Sequence, residues 1–142
     1  MDIREEAVQK KRELQGFLTV ASKYELKDAH DLSVAYTPGV AEPCLRIKDN
    51  EAESFELTCR GNMVAVVSDG TRVLGLGDIG AAAAMPVMEG KSLLFKRFGN
   101  VDCVPLVIDT KDPEVLINTV KLLQKNYAGI NLEDISSPKC YE

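Results

Sequence analysis

The chain has 142 residues, a length that suits about one domain with a core of its own. Its 45% hydrophobic and 27% charged residues are typical of a globular protein, and its net charge of −5 argues against nucleic acid or an anionic membrane as the main partner. No apolar run is long enough to span a bilayer, and the first residues contain no apolar signal segment, so a cytoplasmic location is expected. The four cysteines form no C-x-x-C pair, which indicates reduced thiols rather than a zinc site.

The first half of the chain predicts helices followed by a β-hairpin. Residues 2–15 predict a helix with a narrow apolar stripe. The stretch DLSVAYTPGVAEP (31–43) predicts a shaped loop because of its Pro and Gly content, with a helix beginning at Pro38 as an option. Residues 51–57 predict a short amphipathic helix. In MVAVVSDGTRVLGLG (63–77), two β-rich runs flank Asp69-Gly70, a pattern typical of a hairpin.

The second half alternates helices with strands. Alanines 81–84 predict a helix that Pro86 interrupts or restarts and that continues to about Phe98. The apolar run 101–109 predicts a buried parallel strand. Asp112-Pro113-Glu114 predicts the start of a helix reaching about Asn126, and residues 129–135 predict another short strand. We therefore expect residues 1–142 to form one three-layer α/β/α domain with a mainly parallel sheet plus the β-hairpin, preceded by an N-terminal helical segment.

The glycines at 75, 77 and 80 have the G-x-G-x-x-G spacing of a dinucleotide-binding turn. Three observations count against that function. The preceding strand is expected to be the second arm of a hairpin, the Asp78 carboxylate would repel a pyrophosphate, and no acid follows at the distance needed to bind ribose. We interpret the glycines as structural residues that allow a strand, a turn and a helix to pack closely. An autonomous dinucleotide-binding domain is the competing hypothesis.

Several other side chains are candidates for chemistry. Glu133 and Asp134 follow a predicted strand at the edge where open α/β sheets bind ligands. Their carboxylates would bind Mg²⁺ or Mn²⁺, or they would simply belong to a solvated loop or a helix cap. Lys91 follows the break expected at Pro86 and would be a base that projects from a helix start beside that edge, or a surface lysine. Tyr36 would be a proton donor or a core tyrosine. The only histidine, His30, is expected in an exposed turn.

Five segments together carry a family resemblance. They are AYTPGVAEPC (35–44), VAVVSDGTRVLGLGDIG (64–80), MPVMEGKSLLFK (85–96), VIDT (107–110) and GINLEDISSP (129–138). From about Leu26 to the last residue, in order and without evident gaps, the chain resembles the N-terminal domain of bacterial malic enzymes.

This resemblance implies the oxidative decarboxylation of malate to pyruvate and CO₂ with NAD or NADP and Mg²⁺ or Mn²⁺. Tyr36, in a motif matching Y-[ST]-P-G-V, would be the general acid that protonates the enolpyruvate carbon. Lys91, in the matching E-G-K, would be the general base that takes the C2 hydroxyl proton. Glu133 and Asp134, in N-L-E-D, match the metal carboxylates, and Arg72 would grip a substrate carboxylate as in larger members of the family.

The resemblance also implies partners beyond these residues. A third metal carboxylate and an NAD(P)-binding domain with its own glycine motif are expected after residue 142, so the 142-residue chain alone is expected to be inactive. Malate and pyruvate are the expected small-molecule partners, and a homodimer is the expected assembly. The alternatives are an oxaloacetate decarboxylase or malolactic activity on the same scaffold, or a non-catalytic dimerisation module.

Overall fold

A computed structural model describes residues 2–142, which form two compact units. The first unit consists of residues 2–18 and 62–142, and the second of residues 19–61. The helices are α1 (Ile3–Leu14), α2 (Ala29–Ala35), α3 (Ala41–Asp49), α4 (Ser54–Leu57), α5 (Ala81–Gly99) and α6 (Pro113–Leu123). Among the described residues, no helix has both the length and the apolar character needed to cross a bilayer.

The first unit is built on a three-stranded parallel sheet. Its strands are β1 (Met63–Ser68), β2 (Asp102–Val107) and β3 (Gly129–Leu132), in the order β2-β1-β3. Val64 lies opposite Cys103 on one side and Gly129 on the other. Residues 65–68 of β1 are buried whichever face of the sheet they point to, which explains the nearly continuous apolar sequence of this strand.

Helices cover both faces of this sheet. On one face, Ala65 and Val67 of β1 pack with Leu116 of α6 in a buried cluster. Alternate residues of a strand point to opposite faces, so Val66 lies on the other side, where α5 contacts β1 and β2. There Ser92 hydrogen-bonds Cys103, whose thiol pKa is raised because burial outweighs that bond. The predicted three-layer α/β/α arrangement, with its N-terminal helix and parallel sheet, is confirmed.

The predicted β-hairpin is wrong. The segment between β1 and α5 contains no strand. The backbone N–H groups of Ile79 and Gly80 both donate to the carbonyl of Gly70, and Val73 pairs with Gly77 in an isolated antiparallel bridge. Residues 70–80 therefore fold back on themselves. The Asp-Gly pair predicts a turn from neighbouring residues alone, whereas these bonds join Gly70 to residues nine and ten positions later in the chain.

The glycine motif consequently has a different context from the expected one. Strand β1, helix α5 and parallel strand β2 do form a βαβ unit, so the objection based on a hairpin fails. The motif glycines have positive φ, and a Cβ on any of them would contact nothing within 4 Å, so their conformation rather than close packing favours glycine. The close approach occurs at Gly70, where a Cβ would lie 2.2 Å from the Gly80 carbonyl oxygen.

Two further helix predictions need correction. Residues 31–35 are helical within α2, which the side chain of Asp28 caps by accepting from the N–H of Asp31, and the next helix begins at Ala41 rather than Pro38. Helix α5 passes through Pro86 without a break. Proline removes one helical hydrogen bond, and the buried face of α5 (Ala81, Ala84, Met88 and Ser92) holds the helix against the sheet.

Candidate active site

The carboxyl ends of the parallel strands place two loops at one edge of the sheet. Residues 69–72 follow β1 and residues 133–134 follow its neighbour β3. The N–H of Glu133 donates to the carbonyl oxygen of Val67 at 2.9 Å, which extends the ladder one residue beyond β3. Glu133 is thus held by backbone geometry beside the end of the central strand.

Lys91 and Glu133 form an ion pair at this edge. Lys91 Nζ lies 3.0 Å from Glu133 Oε1, and both side chains are partly buried. Asn131 Nδ2 donates to the same oxygen at 2.9 Å. Lys91 lies in the middle of α5, ten residues after its first residue, and not at a helix start as expected. Lys91 nevertheless reaches the carboxyl edge of the sheet, because its side chain meets Glu133 there.

The two adjacent carboxylates have opposite pKa shifts. Burial alone would raise the pKa of Glu133, but the hydrogen bonds from Asn131 and Lys91 favour the charged form and bring the pKa below its usual value. Burial and the charge of Glu133 raise the pKa of Asp134, and Lys91 only partly compensates. The site therefore holds one satisfied carboxylate beside one that lacks a sufficient cationic partner.

The backbone at Asp134 has an unusual conformation. Its φ is 54°, in the left-handed region that non-glycine residues seldom adopt. The N–H of Arg72 donates to the carbonyl of Asp134 at 3.0 Å, so the loop after β1 is bonded to this residue. The side chain of Arg72 is exposed. Arg72 thus reaches the site through its backbone, and its guanidinium is free to meet a solute.

Tyr36 belongs to the second unit, whereas Lys91, Glu133, Asp134 and Arg72 all belong to the first. It follows the last residue of α2, and the residue is 67% exposed. His30 is also exposed, but it lies within α2 and not in a turn. The structure therefore assembles four of the five predicted site residues within one unit.

The donor set supplies part of what a divalent cation requires. Glu133 and Asp134 supply hard carboxylate oxygens of the kind that Mg²⁺ and Mn²⁺ prefer. A dication would offset both the burial and the repulsion from Glu133 that raise the pKa of Asp134. Over residues 2–142, no group of three or more His, Cys, Asp or Glu side chains is placed to hold a metal ion. The two carboxylates could therefore provide some of the ligands of a divalent cation, and the remaining ligands would be oxygens from the substrate, water or further protein.

Two residues that contribute to this edge of the sheet were not predicted from the sequence. Asn131 stands two residues before Glu133, and the period of two along a strand was a usable signal that both point to the same face. Asp69, read as part of a hairpin turn, is instead a buried carboxylate paired with Lys139. No local signal indicates that pair, because 70 residues separate its members.

The sequence matches a known family over most of its length. The family model described as "Malic enzyme, N-terminal domain" matches residues 15–116. The chain belongs to the malic enzyme family. The malic enzyme resemblance expected from the five segments is therefore confirmed.

Similar proteins are malic enzymes with longer chains. A bifunctional malic/malolactic enzyme from Bacillus subtilis is 52% identical over 141 residues, which is 99% of this chain and 34% of that protein. An NAD-dependent malic enzyme from Geobacillus stearothermophilus is 54% identical over 89% of this chain and 27% of its own length. The crystal structure of an NAD-dependent malic enzyme from Thermotoga maritima matches with a TM-score of 0.92 and 44% identity, covering 95% of this chain and 38% of that one. The chain thus spans about a third of the length of such relatives.

Proposed function

We propose that residues 1–142 act as the substrate-side domain of a malic enzyme, which converts malate to pyruvate and CO₂. The observation that supports this most directly is the Lys91–Glu133 ion pair, 3.0 Å long, with Asp134 adjacent. It joins a candidate base to two candidate metal ligands in a family whose members have malate chemistry in their names.

In this proposal each side chain has one role. Lys91 Nζ accepts the proton of the malate C2 hydroxyl as hydride leaves C2 for NAD(P). Tyr36 then donates its phenolic proton to C3 of the enolpyruvate left when CO₂ departs. Arg72 binds a substrate carboxylate, for which a guanidinium is well suited. Lys91 accepts a proton only when it is neutral, so the ammonium group that pairs with Glu133 must first lose its own proton to solvent.

Glu133 and Asp134 are proposed to hold Mg²⁺ or Mn²⁺. When bound, the dication would supply Lewis-acid stabilisation of negative charge on the C2 oxygen and would favour the neutral form of Lys91. NAD or NADP is proposed to bind mainly to a further domain; relatives named as NAD-dependent and as NADP-dependent both occur. No residue of the Gly75–Gly80 segment has a cofactor role in this proposal.

The proposal is tested with the natural protein, by following malate-dependent reduction of NAD⁺ or NADP⁺ in the presence of Mn²⁺. Lys91→Met should lower kcat by about 100-fold or more, the usual contribution of a general base. Lys121→Met, on the exposed face of α6, is the matched control and should leave the rate unchanged. Wild-type rates in Lys91→Met would refute the assignment of the base.

We further propose the activity of the isolated chain, its oligomeric state and its location in the cell. The 142 residues alone should form no NADH or NADPH from malate, because NAD(P) is proposed to bind mainly to a further domain. We also propose a homodimer, which sedimentation at several concentrations would detect, and a cytoplasmic location. Turnover by the isolated chain would contradict the first of these.

Malolactic activity is the second candidate, favoured by the name of the Bacillus subtilis relative. The same base, acid and carboxylate pair would serve, with the NADH formed returning its hydride to pyruvate before release. Lactate would then accumulate from malate without net NADH. Measuring lactate and NADH in the same reaction separates the two outcomes, whereas oxaloacetate decarboxylation alone would yield neither lactate nor NADH.

A further inference from the structure

A buried ion pair lies behind the carboxylate edge. Asp69 directly follows β1; its side chain is fully buried and that of Lys139 is 11% exposed. The second carboxylate oxygen of Asp69 contacts Lys139 Nζ. Burying a carboxylate costs desolvation free energy, which only well-made contacts offset. The contacts of this ion pair therefore indicate which segments it holds together.

The other oxygen of Asp69 fixes Thr71. Asp69 Oδ1 accepts from the backbone N–H of Thr71 at 3.0 Å and from its hydroxyl at 2.6 Å. A hydroxyl has one proton, so the Thr71 hydroxyl that donates to Asp69 must act as an acceptor toward any other partner. That partner is the backbone N–H of Ser136, at 3.0 Å.

These contacts hold the segment that begins at Asp134. The N–H of Arg72 donates to the carbonyl of Asp134, and two residues later the N–H of Ser136 donates to the hydroxyl oxygen of Thr71. Asp134, the first residue of this segment, is the one whose φ of 54° is disfavoured for a side chain with a Cβ. Three cross-links, the third being the Lys139 ion pair, therefore join the loop after β1 to the segment after β3.

We propose that Asp69, Thr71 and Lys139 form a clamp that holds Asp134 in its left-handed conformation and thereby presents its carboxylate beside Glu133. They are positioning residues and do not contact the substrate. The inference rests on the proposed cation-binding role of Glu133 and Asp134. It also predicts a structural effect that needs no cation, namely protection of the Ser136 amide by the Thr71 hydroxyl.

Thr71→Val in the natural protein tests the clamp, because valine keeps the shape and removes only the hydroxyl. Mn²⁺ affinity, measured by titration calorimetry without substrate, should fall about tenfold, as is usual when an outer-shell partner is lost. Thr71→Ser retains the hydroxyl and should bind within about threefold of wild type. Thr119→Val, which removes a hydroxyl bonded to the Val115 carbonyl on α6, is the control and should not change Mn²⁺ affinity.

Hydrogen exchange gives the second readout. In metal-free Thr71→Val, the Ser136 amide should exchange about tenfold faster or more, while β1 amides remain unchanged. Asp69→Asn, similar in shape but without the charge that pairs with Lys139, should shift both measurements in the same direction.

The possible failures are distinguishable. Unchanged exchange of Ser136 in Thr71→Val, or Mn²⁺ affinity equal to that of wild type, would overturn the clamp. A wild-type protein that binds no Mn²⁺ would overturn the proposed cation site, and Ser136 exchange would still decide whether the clamp exists.

Discussion

Glu133 accepts two hydrogen bonds at one oxygen, and its charge depends on both. Burial opposes ionisation of this carboxylate, while Asn131 and Lys91 favour it, and the balance lowers its pKa. A carboxylate whose pKa is lower in the folded than in the unfolded protein stabilises the fold above the unfolded pKa. This stabilisation is lost as the pH falls through the folded value. The residue thus links the site to the acid stability of the domain.

Asn131→Ala should raise the pKa of Glu133, because one donor to its charged form is removed. The variant should be less stable than wild type by about 1 kcal/mol at pH 7, a value reduced from that of a buried charged hydrogen bond because Glu133 is partly exposed. The difference should shrink as the pH falls through the lowered folded-state pKa of Glu133, because the carboxylate then becomes protonated in both proteins. Urea unfolding at pH 7 and at a pH low enough to protonate the carboxylate measures this change.

Asn118→Ala is the matched control, since Asn118 is exposed on α6. Its effect on the free energy of unfolding should be small and the same at both pH values. A destabilisation of Asn131→Ala that does not change with pH would show that Asn131 acts through packing and not through the charge of Glu133.

At the scale of elements, α5 matters because it carries Lys91 to the strand ends. Gly90 lies inside this helix, and a Cβ there would meet nothing within 4 Å. Gly90→Ala should therefore stabilise the chain by about 0.5–1 kcal/mol through helix propensity. Gly70→Ala should destabilise it by about 2 kcal/mol or more, because φ is +69° and the Cβ would lie 2.2 Å from the Gly80 carbonyl oxygen.

Urea denaturation of both glycine variants checks this pair of predictions. The substitution is chemically the same in each, so the opposite signs isolate the backbone environment. Destabilisation by Gly90→Ala would mean that the space beside Lys91 is needed by the native packing.

The elements predicted well were those with strong local signals. Strands β1, β2 and β3 follow from short apolar runs, and α6 follows from Asp112, whose side chain caps it by accepting from the N–H of Glu114. The Asp28 cap of α2 was an equally local signal, but Pro38 and Gly39 dominated the interpretation of that stretch. The predicted hairpin failed because the Gly70 carbonyl bonds to Ile79 and Gly80, which turn statistics cannot anticipate.

The sequence was sufficient to predict that the candidate site contains two acids at a strand end and a lysine. It was not sufficient to predict which of these side chains contact each other. The parallel sheet places Glu133 at its carboxyl edge, which is a topological rule. The ion pair with Lys91 depends on how far along α5 the lysine lies when the helix packs on β1 and β2. That distance follows from tertiary packing, and the mistaken break at Pro86 had placed Lys91 near a helix start.

At the scale of the whole molecule, the two units differ in their interiors. The first unit buries Ala65, Val66, Val67 and Met88, among others. In the second unit, residues 19–61, Ser54 is the only described residue that is buried, at 7% exposure. Beside it, the guanidinium of Arg60 lies 4.1 Å from the centre of the Phe55 ring and donates to Ser54 Oγ at 2.7 Å. A unit without buried apolar side chains opens at little cost, since burial of apolar surface is the main favourable term in folding.

Amides of α2 and α3 should therefore exchange with deuterium at least about 100-fold faster than those of β1 in the dilute 142-residue chain. The strand can exchange only when the sheet opens, because Ala65, Val66 and Val67 are almost completely buried. The helices of the second unit have exposed apolar residues, Leu32 at 52% and Leu45 at 54%, whose burial would add stability. If a second copy of the chain covers α2 and α3, raising the protein concentration should slow the exchange of their amides. If these amides are protected as well as those of β1 in dilute solution, the two units do not differ in stability as proposed.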